Sequence, residues 1–208
     1  MTGDKVRSSS FRFHLLFLVV SVFAWAVSPG AALAAASDSQ HLDGFWLLTF
    51  DLPPDQALGF LPTEMKQLAN FTTDGSMLAT SNLPSLPVDA EFFSQVLAQK
   101  LGQPFIFPSI KLSTGHGDWV RTGNGKFQLE IWRVATCVDP AGCNIPWVGV
   151  NAKLDDSIGW ATGKATVQVD GKRGVMTGTL QLQLLAPDMV TPILPPASGT
   201  LAGSRHRP

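Results

Sequence analysis

From His116 to the end of the chain, runs of alternating apolar and polar residues are separated by short connections rich in glycine, aspartate and proline, and this rhythm leaves few folds open. It predicts strands at Lys126 to Thr136, Ile145 to Leu154, Gly159 to Val169, Val175 to Leu185 and Gly199 to Arg205. The connections are a loop between Cys137 and Cys143, Asp155-Asp156-Ser157-Ile158, Asp170-Gly171-Lys172-Arg173 and a Pro187 to Pro196 loop. Such short links favour antiparallel pairing of sequence neighbours, because a parallel pair needs a crossover of a dozen or more residues. The stretch Gly115 to Phe127 seeds the series with a short strand, a glycine turn and the start of a longer strand.

Side chains alternate across a strand, so each run separates into two faces. Met176, Gly178, Leu180, Leu182 and Leu184 oppose Val175, Thr177, Thr179, Gln181 and Gln183. Ala161, Gly163, Ala165, Val167 and Val169 oppose Trp160, Thr162, Lys164, Thr166 and Gln168, and Val148, Val150, Ala152 and Leu154 form a third apolar row. One apolar face and one polar face describe a water-soluble barrel, the inverse of an outer-membrane barrel. The small residues Ala161, Gly163, Ala165 and Gly178 leave interior volume unfilled.

The first half feeds the same sheet. Gly44 to Phe50 reads as a strand that ends at Asp51-Leu52-Pro53-Pro54, which no central strand crosses. Gln67 to Thr72 and Ser76 to Ser81 flank Thr73-Asp74-Gly75, a hairpin signal. Between Leu83 and Ile110 four prolines frame a helix expected from about Asp89 to Leu101, with Asp89 as its cap and Gly102 as its stop. Phe92, Phe93, Val96, Leu97 and Lys100 share one face, and the helix serves as a lid over the barrel or as a flap on its wall. The expected fold is all-β: an antiparallel up-and-down β-barrel of about eight to nine strands with one inserted amphipathic helix, since closure removes unpaired edges.

The N-terminus reads as a secretory signal over residues 1–34. Lys5, Arg7 and Arg12 precede an apolar run from Leu15 to Val27, and Ala32-Leu33-Ala34 fits a cleavage site. The run stops short of the about 20 residues that a spanning helix needs, so no membrane span is expected after cleavage. The expected location is exported, periplasmic or extracellular. Of 208 residues, 208 − 34 = 174 remain, one domain at 35–206 with its helical insertion at about 83–110. In an oxidising compartment Cys137 and Cys143 are expected to form a disulfide that staples one loop.

Composition excludes some function classes. Removing the signal takes the basic count from 15 to 12 and the acidic count from 16 to 15, a net charge near −3 with no basic cluster for nucleic acid. The histidines are His14, His41, His116 and His206, too scattered to imply a metal site. No cofactor is implied. A binding cup needs apolar walls and a few polar groups that orient the ligand. Phe127, Leu129 and Ile131 share a face with Arg133, with Val150 and Leu182 as further wall. Arg133 holds a ligand carboxylate, reaches the rim, or pairs with Glu130. His116 and Asp118 lie two apart on one face, the spacing at which a carboxylate orients an imidazole, yet no nucleophile motif such as G-x-S-x-G accompanies them. Trp119 and Arg121 share the other face, and Arg121 is expected to stack on Trp119 or Trp46 at the barrel floor.

The motifs resemble a known family. Gly44-Phe45-Trp46 looks like the G-x-W that opens lipocalins, and Gly199-Thr200-Leu201-Ala202-Gly203-Ser204-Arg205 resembles their closing strand, whose Arg packs across that Trp. Phe71-Thr72-Thr73-Asp74-Gly75 followed by Gly117-Asp118-Trp119-Val120-Arg121-Thr122-Gly123 is similar to segments of uncharacterised exported bacterial lipocalin-like proteins. The resemblance implies a calycin-type barrel over Leu42 to Arg205 and assigns structural roles to Trp46, Trp119, Arg121 and Arg205. It departs from the family at the Leu83 to Ile110 insertion. Three functions follow as expectations: an exported barrel that binds a small apolar or amphipathic molecule inside, a cofactor-independent cyclase or isomerase of the allene oxide cyclase-like type with Arg133, Glu130 or His116 supplying charge, or an envelope module with a filled core.

Overall fold

The structure, a computed structural model, describes residues 41–80 and 83–206. The signal sequence expected at 1–34 lies outside the described residues. In chain order the elements are β1 (Gly44–Asp51), α1 (Pro54–Ala57), β2 (Glu64–Phe71), β3 (Ser76–Ala79), α2 (Ala90–Leu101), β4 (Ile110–Leu112), β5 (Gly115–Gly123) and β6 (Lys126–Cys137). They continue with β7 (Cys143–Ile145), β8 (Val150–Ala152), β9 (Ser157–Asp170), β10 (Val175–Leu185) and β11 (Ala197–Arg205).

Eight strands close into an antiparallel barrel in the order β6-β5-β3-β2-β1-β11-β10-β9, and β9 pairs back onto β6. The ninth strand, β4, continues the sheet along β6 beyond the start of β5, with Ile110 opposite Cys137. The period-two reading holds in the register. Met65, Gln67, Ala69 and Phe71 of β2 are buried while Glu64, Lys66 and Leu68 are exposed, and Phe127, Leu129, Arg133, Ala135 and Cys137 of β6 are buried on one face.

One expected strand does not exist as such. Ile145 to Leu154 breaks into β7, a 3₁₀ turn at Pro146–Val148 and β8. Pro146 has no N–H to give a ladder, and Gly149 takes φ +67°, so the chain folds back and Cys143 pairs with Ala152 in a separate two-stranded sheet. Cys137 and Cys143 are joined by a disulfide, with their Cα atoms 5.8 Å apart. The expected α2 is present. The Asp89 side chain accepts from the Phe92 N–H at 3.0 Å, and Gly102 ends the helix at φ +69°.

The two ends of the barrel differ. The turns at 72–75, 124–125 and 171–174 lie at one end, while the connections at 52–63, 80–114, 138–156 and 186–196 all lie at the other. The tight-turn end is sealed by a packed cluster that includes Leu42, Trp46, Phe71, Met77 and Phe127. Trp46 is fully buried and its indole N–H donates to the Leu42 carbonyl at 2.7 Å. The Arg205 guanidinium lies 5.4 Å from the Trp46 ring centre and donates to the carbonyls of His41 and Asp43. Arg205 thus packs across Trp46 as the resemblance implies, whereas Arg121, expected to stack on Trp119 or Trp46, is exposed and donates from Nε to the Gly123 carbonyl. The reason is register: Trp46 stands opposite Arg205 across the β1–β11 ladder, whereas Arg121 sits near the end of β5 opposite Phe127. Trp119 does face inward, with its ring 5.5 Å from Phe127 and its N–H on the Thr72 carbonyl.

The loop end is closed by a second cluster built from the insertions: Phe60, Leu86, Phe93, Leu97, Phe107, Ile145, Ile158 and Ile193 among others. Phe60, Phe93 and Phe107 form a triangle of rings with centres 5.1–5.5 Å apart. Burying faces of this kind is what holds a short helix such as α2 in place, since 12 residues are marginal alone.

Candidate functional site

Between the floor cluster and the cap cluster lies a cavity of about 120 Å3. Its walls are contributed by strand residues such as Ile131, Leu180 and Leu182 on one side and by Phe93 and Leu97 of α2 on the other. α2 is thus a cover over the interior as well as a surface element. Phe92 differs from the sequence expectation: it points outward and is exposed, because the buried stripe runs through Phe93 and Leu97. The volume is about that of a cavity that holds one benzene-sized ring, and larger than the 10–15 Å3 needed for a single water.

Arg133 stands on this wall. It is only 5 % exposed, and its fork spans a gap in the barrel. The β3–β5 ladder stops at Ala79 opposite Gly115, and Arg133 reaches the carbonyls of Thr80 and Ser113 just beyond it. Arg133 supplies the donors: Nη1 donates to the Ser113 carbonyl at 2.7 Å, and Nη2 donates to the Thr80 carbonyl at 3.2 Å and to the Gln67 side-chain oxygen at 2.7 Å. Gly115 makes the room. A Cβ there would stand 3.0 Å from the Arg133 guanidinium carbon and closer still to the Ile131 side chain. Burial pushes the Arg133 guanidinium down to about 10, so it remains charged at neutral pH.

The other sequence candidates are distributed by the fold. Ile131 and Leu182 line the cavity with Arg133. Phe127 and Leu129 point inward but belong to the packed floor, and Val150 is buried in the cap through the small β7–β8 sheet. His116 and Asp118 are exposed on the outer face of β5, where His116 stands opposite Leu78 and Trp132. Glu130 is also outside, and it pairs with Lys164 at 3.1 Å rather than with Arg133. Sequence reasoning missed Gln67, which is 6 % exposed, and Lys100, which is exposed at the end of α2; both line the cavity. Period two along β2 marks Gln67 as an inward polar residue between Met65 and Ala69, a signal present in the chain.

Among the described residues no group of three His, Cys, Asp or Glu is placed to hold a metal ion, and no helix is long and apolar enough to cross a membrane. Comparison of the chain with protein-family models, with curated proteins and with solved structures finds no match.

Proposed function

We propose that this protein is an exported, lipocalin-like barrel that binds a small apolar or amphipathic molecule in its interior. The observation that carries the reading is the apolar cavity between floor and cap, with one buried guanidinium on its wall. A barrel whose core served only stability would gain by filling such a space, because each unfilled cavity costs in proportion to its volume. The lipocalin-like assignment is supported by eight antiparallel strands and by Arg205 over Trp46, and export by a disulfide of the kind that persists in oxidising compartments. The test is native mass spectrometry of protein purified from its host, alongside Ala161→Phe, which places a ring in the cavity from its wall. A small-molecule adduct is expected on the native protein and lost in the variant. A bare mass for the native protein, together with no uptake of a polarity-sensitive dye, would overturn the reading.

A further inference from the structure

The cavity wall is uneven in charge. Among the described residues, Arg133 and Lys100 both contribute to it, and no Asp or Glu does. Lys100 is exposed in the last turn of α2, whereas Arg133 is buried on the strand side. A buried charge is ordinarily paired with an opposite one, since desolvating it costs several kcal/mol that neutral contacts only partly return. Arg133 is held by three neutral oxygens, and among the described residues no carboxylate meets it. A guanidinium carries five N–H donors. The three bonds described leave two of these, and the guanidinium belongs to a wall that opens on the cavity.

We propose that the molecule held in this cavity is a monocarboxylate with a short hydrocarbon chain, its carboxylate on Arg133 and its chain against Ile131, Leu182 and Leu97. The proposal rests on the reading of the cavity as a ligand site and names the class of ligand. The small volume and apolar walls select one slender chain or a single ring. One deep guanidinium matches one negative charge, and a dianion such as a phosphate monoester would bring a second charge that the apolar wall leaves unmet. Lys100 adds a positive field at the exposed end of the same cavity, which raises the local concentration of anions.

The test compares three chains of equal length, octanoate, 1-octanol and octylammonium, titrated into the intact protein and followed by amide NMR shifts or calorimetry. Octanoate is expected to bind at least tenfold more tightly than octanol, and octylammonium more weakly than either. Two variants locate the effect. Arg133→Gln removes the charge, and Gln67→Glu keeps the side-chain length while placing a carboxylate where an oxygen now lies 2.7 Å from Arg133 Nη2. Gln67→Glu leaves the gap bridged, so it reports even if Arg133→Gln fails to fold. In Gln67→Glu the octanoate preference over octanol is expected to disappear, because the new carboxylate meets the guanidinium in place of the ligand's. Equal affinity of the native protein for octanoate and octanol would overturn the carboxylate assignment and leave interior binding standing. A preference that survives Gln67→Glu would overturn Arg133 as its source, and no binding of any of the three would remove the ligand reading itself.

Discussion

The two ends of this barrel are built by different means. At the tight-turn end, side chains from strands paired on both sides converge on Trp46, and Arg205 closes over the ring. At the loop end, the cover is made of inserted segments joined by packed side chains, among them the Phe60, Phe93 and Phe107 rings, and by scattered backbone hydrogen bonds such as Val88 to the Phe60 carbonyl and Val138 to the Ser109 carbonyl. A ladder fixes the spacing of the residues it carries, whereas loops settle against whatever surface they meet. The unfilled space falls at the boundary between the two regimes. Among the described residues the most exposed large apolar side chains, Ile106 at 80 % and Val190 at 77 %, also belong to the loop end.

That contrast can be broken by comparing two aromatic truncations. Trp46→Ala is expected to lower the stability of the whole barrel by about 4 kcal/mol in denaturant unfolding, because the site is enclosed by paired strands and cannot collapse. Phe93→Ala removes a comparable buried ring but is expected to cost less than half as much in the same transition, and to accelerate hydrogen exchange in α2 instead, since the cap opens locally. Equal global losses would show that the ends form one cooperative unit. Replacing Cys137 and Cys143 by Ser is expected to cost about 2 kcal/mol for so short a loop, seen as a lowered thermal midpoint with the floor amides still protected. Asp89→Ala removes the cap of α2 and is expected to cost about 1 kcal/mol, read as faster amide exchange in its first turn.

The smallest effect belongs to the tight-turn end. Asp74 accepts from the Thr72 hydroxyl and from the backbone and hydroxyl of Ser76, and these bonds hold its carboxyl down to about 2 from an ordinary 3.8. A depressed carboxyl stabilises the fold above its unfolded value, and that contribution fades as pH falls from about 4 through about 2. Asp74→Asn is expected to flatten this acid limb in a pH series of unfolding midpoints while leaving the neutral value slightly lower. Because Asp74 is exposed, the change is small, and an unchanged acid limb would remove the turn from the comparison.

Local chemistry carried much of this architecture in the chain itself. Asp89 and Gly102 bound α2, Asp74-Gly75 turns one hairpin, and alternation along β9 and β10 separates inside from outside. What local pattern could not convey was anything set by partners distant in sequence. The run from Ile145 to Leu154 has strand-like composition, but Pro146 and Gly149 turn it into a small hairpin of the cap. Face alternation alone offers Arg121 as a floor arginine beside Arg205, and only the β1–β11 register, which places Arg205 opposite Trp46, decides between them. Arg133 is legible as the polar end of an apolar row, yet its inward placement depends on a gap between β3 and β5 and on oxygens from residues 67, 80 and 113. A site assembled from four segments leaves no spacing signature in any one of them.

The β1–β11 ladder has a further consequence for how the chain closes. It joins Trp46 to Arg205 and Asp51 to Thr200, while the other barrel ladders join residues no more than a few tens of positions apart. The chain-entropy cost of closing the longer loop exceeds that of the shorter ones by about 1 kcal/mol. Among the barrel ladders, the β1–β11 seam is therefore the one whose pairing draws most on the rest of the sheet already holding its two strands together.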